Sequence, residues 1–118
     1  MAKILFIDDD PINSKIYTSQ LEALGFEVAL CYGGEEALKF ISDKFDLIIL
    51  DIMMPRVDGV TILSEIKRGV NKGTPIIIYT NLLSEATKKE CLDLGVREYL
   101  VKADYTPPVF LNIVKKYL

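Results

Sequence analysis

Among its 118 residues the chain has no histidine, no tryptophan and only two cysteines. Without histidine, imidazole acid–base catalysis and His-ligated zinc are excluded. Cys31 and Cys91 match no metal or redox spacing and read as small buried apolar residues. A basic excess is missing as well: 14 Lys and Arg face 17 Asp and Glu, for a formal net charge of −3. That balance speaks against direct binding to a nucleic-acid backbone. No apolar run is long enough for a signal peptide or a membrane span, and the N-terminal Ile4-Leu5-Phe6-Ile7 stops at acids. We therefore expect a reducing, cytoplasmic setting with no membrane partner. A composition that is 50% hydrophobic and 26% charged is that of a folded chain, and the length suits one domain.

What is present alternates between short apolar runs and amphipathic stretches. Ile4 to Ile7, Asp46 to Leu50 and Pro75 to Tyr79 are continuously apolar after their first residue, as strands buried on both faces require. Glu27 to Leu30 and Glu98 to Val101 are weaker and suit outer strands. Between them, Tyr17, Leu21 and Leu24 mark one helix ending at Gly25, and Ala37, Leu38 and Ile41 mark a second after Gly33-Gly34. Leu63, Ile66 and Val70 mark a third, followed by Asn71-Lys72-Gly73. Ser84 is a plausible N-cap for a fourth, running to Leu94 and stopped by Gly95. Phe110, Ile113, Val114 and Tyr117 stripe a fifth, opened by Pro107-Pro108. The fold class is therefore α/β. It is read as a single doubly wound βα domain with a five-stranded parallel sheet, flavodoxin-like, in strand order 2-1-3-4-5.

In such a sheet the working site lies beyond the carboxyl ends of the central strands. There the sequence puts Asp8, Asp9 and Asp10 after strand 1, Asp51 after strand 3, Thr80 after strand 4 and Lys102 after strand 5. Asp10, ahead of Pro11, is equally well explained as a helix cap. Clustered carboxylates repel unless a cation neutralises them, and a hard ion such as Mg²⁺ suits a few carboxylates with waters and phosphate oxygens. The loop after strand 1 lacks the glycines that a flavin or dinucleotide phosphate needs, so phosphate could enter only through the metal.

With these residues in place the chain resembles the receiver domains of bacterial two-component response regulators. The resemblance is carried by Ile4-Leu5-Phe6-Ile7-Asp8-Asp9-Asp10-Pro11, by Asp46 to Pro55 with Asp58-Gly59, by Pro75 to Thr80 and by Tyr99-Leu100-Val101-Lys102. It implies a receiver domain over residues 1–118, with no effector domain in the chain. By that resemblance Asp51 would be the phosphoacceptor, and the donor would be a sensor histidine kinase or a histidine phosphotransfer protein. Asp9 and Asp51 would bind Mg²⁺ directly, Asp8 through a water, with the backbone carbonyl of Met53 completing the protein ligands. Lys102 would pair with the phosphoryl oxygens, Thr80 would follow them, and Tyr99 would turn inward as the aromatic switch. Output would pass through the face of helix 4, strand 5 and helix 5 to a downstream protein or a second receiver. Such a domain is not an enzyme beyond its own phosphorylation and dephosphorylation.

Two positions depart from the family pattern. Asn81 stands where a small residue usually follows the threonine, and Ala103 stands where a proline usually follows the lysine. A non-proline cis bond costs about 2.5–4 kcal/mol, so the Lys102–Ala103 bond is either trans or strained. Met53 and Leu82, at positions that tune acyl-phosphate lifetime in the family, are both apolar. Lys88, Lys89, Arg97, Lys115 and Lys116 would make the output face basic, unless they serve solubility alone. Tyr99, in a short outer strand, could equally be a packing residue. Two other functions stay open. Asp8-x-Asp10 also resembles the nucleophile motif of Mg²⁺-dependent haloacid-dehalogenase-type phosphatases, and the fold could serve as a phosphorylation-independent interaction module.

Overall fold

Consecutive apolar residues without polar alternation demand cover on both faces of a strand, and three segments receive it. They are β1 (Lys3–Ile7), β3 (Leu47–Leu50) and β4 (Ile76–Thr80). In the computed structural model, which describes residues 1–118, they form the centre of a five-stranded parallel sheet. The weaker β2 (Glu27–Cys31) and β5 (Glu98–Val101) take the edges, and the order is β2-β1-β3-β4-β5. The α/β architecture, the strand order and the outer-strand assignments are as the sequence implied.

Alternate strand residues feed two cores. Leu5, Ile7, Ile48, Leu50, Ile76 and Ile78 point to one side, covered by α2 (Gly34–Phe40), α3 (Gly59–Arg68) and α4 (Glu85–Asp93). Ile4, Phe6, Leu47, Ile49, Ile77 and Tyr79 point to the other, covered by α1 (Pro11–Ala23) and α5 (Pro107–Lys115). Ser84 caps α4 as expected, accepting from the Thr87 amide at 3.2 Å, and Asp58 caps α3 by accepting from Val60. Gly25 and Gly95 follow their helices with φ of +93° and +91°, the left-handed geometry that glycine supplies without strain.

Three apolar positions differ from the expected stripes. Leu24 is the C-cap of α1 and is exposed, because Ser14 and Leu21 take the buried positions of that helix. Leu38 is exposed because its neighbour Ala37 occupies the inward position of the short α2. Val70 is 56% exposed because α3 ends at Arg68 and Gly69 is extended, which takes the chain off the helical stripe. The strand limits shift slightly. Asp46 precedes β3, where its carboxylate accepts from the Lys3 amide at 2.8 Å, and Thr80 is the last residue of β4.

At the amino end of the sheet, the buried Asn71 joins two loops. Its Oδ1 accepts from the Phe45 amide at 2.9 Å, and its Nδ2 donates to the carbonyls of Ile41 and Asp43 at 3.0 and 2.8 Å. Thr74, also buried, lies 3.0 Å from Asn71 Oδ1 and accepts from the Lys44 ammonium at 2.8 Å. This network fixes the entrances to β3 and β4, and with them the register of the strands whose far ends carry Asp51 and Thr80.

Candidate functional site

The acids are brought together by strand pairing. Ile7 of β1 is in register with Leu50 of β3, so Asp8 and Asp51 leave the sheet side by side. Their amides stay tied to it: Asp8 N–H donates to Cys31 O and Asp51 N–H to Ile7 O, each at 2.9 Å. One carboxylate oxygen from each of Asp8, Asp9 and Asp51 lies within 4.8 Å of the others. Asp8 and Asp51 are buried, while Asp9 is half-exposed. Asp10 does not join them. Its Oδ1 accepts from the Ile12 and Asn13 amides at 3.1 and 3.3 Å and its Oδ2 from the Asn13 side chain, so the helix-cap reading of Asp10 holds.

Lys102 enters from β5. Thr80 is paired in register with Val101, so the residue after β5 arrives beside the end of β4. The Lys102 ammonium lies 2.6 Å from Asp8 Oδ2 and 2.9 Å from Asp51 Oδ2. The other carboxylate oxygens are held by backbone: Asp10 N–H donates to Asp8 Oδ1 at 2.9 Å and Met53 N–H to Asp51 Oδ1 at 2.8 Å. Burial is the largest influence on Asp8 and pushes its carboxyl above the usual range, against the Lys102 hydrogen bond. Burial would lower the Lys102 ammonium. The hydrogen bonds and attraction of the two acids outweigh it and hold the ammonium above the ordinary lysine value. Three acids against one ammonium leave an uncompensated anionic hollow. Its hard oxygen donors, close together and at different depths, fit an ion such as Mg²⁺.

Thr80 is fully buried, and its hydroxyl accepts from the Leu82 amide at 3.2 Å. The Tyr99 hydroxyl donates to the Leu82 carbonyl at 2.8 Å. Leu82 thus joins Thr80 to Tyr99, an arrangement that spacing alone did not disclose. Tyr99 is half-buried against the core under α4. The Met53 side chain is 52% exposed and its backbone lies at the site through the amide described above. Asn81 is exposed, and the Lys102–Ala103 bond is trans, within a single 3₁₀ turn over Lys102–Asp104. Sequence reasoning counted Tyr79 as an apolar strand residue only, yet its ring lies beneath the Lys102 ammonium, 5.8 Å from the centroid.

Beside Tyr99 a cleft of about 370 Å³ opens, lined by Leu82, Leu83, Tyr99, Val101 and Tyr105 and edged by Glu85, Lys88 and Asp104. Its charge is mixed rather than basic, and Lys89 is paired with Asp93 at 2.8 Å. The two thiols are buried and unbonded, and burial pushes Cys31 up to about 12 and Cys91 up to about 11, as inert packing residues. No helix is long and apolar enough to cross a membrane.

Comparison with known proteins places this geometry. The family model for the response regulator receiver domain matches residues 4–113. The transcriptional regulatory protein ZraR of Salmonella typhimurium is 40% identical over 100 residues, which are 84% of this chain and 22% of that protein. The chain thus spans about a fifth of that relative's length. A CheY-like receiver domain from Methanospirillum hungatei superposes with a TM-score of 0.91 at 26% identity, over 98% of this chain and 92% of that one. The response regulator TrrA of Thermotoga maritima, solved in complex with Mg²⁺ and BeF, gives a TM-score of 0.83 at 34% identity, with both chains covered fully.

Proposed function

Because the chain belongs to the receiver domains of response regulators, we propose that it is a phosphorylation-dependent switch in which Asp51 accepts a phosphoryl group. The donor is the phosphohistidine of a sensor histidine kinase or of a histidine phosphotransfer protein, met in the cytoplasm. One observation carries the reading: Asp51 is buried among Asp8 and Asp9 and shares the Lys102 ammonium with Asp8. The family match covers the Asp51 run, which the dehalogenase-type reading of Asp8 left without a purpose.

In this mechanism an Asp51 carboxylate oxygen attacks phosphorus, the P–N bond to the donor imidazole breaks, and its electron pair stays on the imidazole, which leaves as the neutral ring by taking a proton from solvent. Asp9, Asp51 and the Met53 carbonyl would hold Mg²⁺ directly and Asp8 through a water, and the ion would supply the charge that offsets the clustered acids and the phosphoryl oxygens. Lys102 turns from the carboxylates to a phosphoryl oxygen, which charge-assisted hydrogen bonding favours. Thr80 then gives its hydroxyl to another phosphoryl oxygen and releases the Leu82 amide. Since Leu82 also holds the Tyr99 hydroxyl, its loop and the ring move together, and the face of α4, β5 and α5 changes for a downstream protein or a second receiver. Catalysis extends no further than the domain's own phosphorylation and dephosphorylation.

The test is incubation with Mg²⁺ and acetyl phosphate, read by intact mass. A gain of one phosphoryl group that disappears in Asp51→Asn is expected. No gain from acetyl phosphate or from a cognate kinase would overturn the reading and leave a phosphorylation-independent interaction module.

A further inference from the structure

We infer that Tyr79 is the positioning residue for Lys102, its ring forming an uncharged floor that keeps the ammonium in the site as it exchanges carboxylates for a phosphoryl group. The inference rests on the receiver reading above and assigns a role to a residue one position before Thr80.

The Lys102 ammonium lies 5.8 Å from the Tyr79 ring centroid, within the distance at which the negative face of a ring attracts a cation. The ring cannot turn away. Tyr79 is 1% exposed and stacks on Phe110 with centroids 3.9 Å apart and planes at 17°. Its hydroxyl lies 2.8 Å from that of Tyr17. Tyr17 is in turn held edge-on to Phe110 and stacked on Phe6, so β1, α1, β4 and α5 each contribute one ring to the support. An aromatic bolt of this kind fixes a plane, not merely a volume.

Lys102 has little else to give it direction. It begins a 3₁₀ turn and is followed by an exposed alanine on a trans bond. Its polar partners are Asp8 and Asp51, the same acids that the reaction engages with other charges. A lysine restrained only by those two would lose its restraint when they are occupied. A third acid beneath it would deepen the like-charge burden, and an amide would offer a competing acceptor. A ring attracts the ammonium without a directed lone pair, so it tolerates the shift from carboxylate to phosphoryl oxygen.

The experiment compares Tyr79→Leu, Tyr79→Phe and Tyr79→3,4,5-trifluorophenylalanine. Two quantities are read: the rate of Asp51 phosphorylation by acetyl phosphate at saturating Mg²⁺, and the ring-current shift of the Lys102 ε-methylene protons without phosphodonor. Tyr79→Leu is expected to lower the rate between about twofold and thirtyfold and to abolish the shift. Tyr79→Phe recovers most of both. The trifluorinated ring fills the same space with its quadrupole cancelled, and its rate falls back toward that of the leucine variant. Equal rates for the phenylalanine and trifluorinated variants would overturn the inference, as would unshifted Lys102 protons in the wild type. Should Tyr79→Leu fail to fold, the two aromatic variants still decide the matter. A wild-type protein that takes up no phosphoryl group overturns the receiver reading instead, and the ring-current shift then decides the placement of Lys102.

Discussion

The Lys102 ammonium stands 2.9 Å from the Asp51 carboxylate and 2.6 Å from that of Asp8, a single cation divided between two buried acids. Lys102→Met would leave both acids unpaired beside Asp9. Removing one partner of a fully buried pair costs about 3–5 kcal/mol, and the partial exposure of Lys102 reduces this to about 1–3 kcal/mol. Mg²⁺ bound among the acids would replace the lost positive charge, so the deficit measured by urea unfolding is expected to shrink when Mg²⁺ is added. An unchanged deficit would show that the acids do not share a cation site.

Asp8 gives the fold an acid-side dependence. Its folded carboxyl lies above its ordinary value of 3.8, so the folded state holds this proton more tightly than the unfolded one. Without Mg²⁺ the contribution of Asp8 to stability is therefore largest below 3.8 and is lost as pH rises through the folded value. Lys102 works in the other range: its contribution is fully present below 10.5 and is lost as pH rises past its higher folded value. Asp8→Asn is expected to flatten the acid-side slope in thermal unfolding and leave the alkaline one. A slope unchanged by the substitution would assign it to another group.

The bond between the Tyr99 hydroxyl and the Leu82 carbonyl predicts a local effect. Tyr99→Phe removes one hydrogen bond, worth about 1 kcal/mol, from a loop that Thr80 holds from the other side. Amide hydrogen exchange at Leu82 and Leu83 is expected to quicken about fivefold, the equivalent of that energy. Exchange that quickens equally throughout β4 would instead mean general destabilisation.

Asn71→Ala tests the other end of the sheet. The substitution strips partners from the buried Phe45 amide and from the partly buried carbonyls of Ile41 and Asp43 at one loop junction. A loss of about 1–3 kcal/mol is expected, chiefly from the buried Phe45 amide left without its acceptor. The phosphorylation rate of the protein that remains folded should stay near that of the wild type, because Asn71 lies at the amino ends of the strands. A proportionate loss of both would tie this network to the site.

The contrast between Asn71 and Asp51 explains what was legible in the sequence. The positions of Asp8, Asp51 and Thr80 followed from uninterrupted apolar runs, because burial on both faces leaves no alternation to misread, while the strand order and the place of Lys102 after the weaker β5 followed from the regular alternation of strands and helices. Asn71 read as turn punctuation, because a side chain that satisfies three distant backbone groups has the same one-dimensional signature as an exposed loop residue. Leu24, Leu38 and Val70 misled for a related reason. At Leu24 and Val70 the helical spacing continues past the point where a cap or an extended glycine ends the helix, at Leu38 the neighbouring Ala37 takes the inward position, and an exposed leucine costs the fold little. Asp10 carried both possibilities openly, and the neighbouring Pro11 favoured the cap because it starts a helix with amides to satisfy. The joint holding of Leu82 by Thr80 and Tyr99 involves backbone atoms, which no residue identity reports.

The lifetime of the acyl phosphate proposed at Asp51 would follow from what surrounds Asp51 and Thr80. Met53 presents a half-exposed thioether, and Leu82 packs against the core, so neither offers a hydrogen bond to orient an attacking water. Asn81 is exposed next to Thr80, and we expect its amide, larger than the small residue usual at this position, to narrow the approach that water or a donor would use. We expect slow hydrolysis, over minutes or longer, in the wild type. Met53→Asn, which introduces an amide able to hold water, is expected to shorten the lifetime. Asn81→Ala is expected to quicken both phosphorylation by acetyl phosphate and hydrolysis, since the two reactions share one approach. Following the phosphorylated fraction by intact mass after the donor is removed checks all three. Hydrolysis of the wild type within seconds would mean that water is oriented by some other group. Identical rates in Asn81→Ala and wild type would show that the asparagine leaves the approach open, so that departure from the family pattern at this position would carry no kinetic effect.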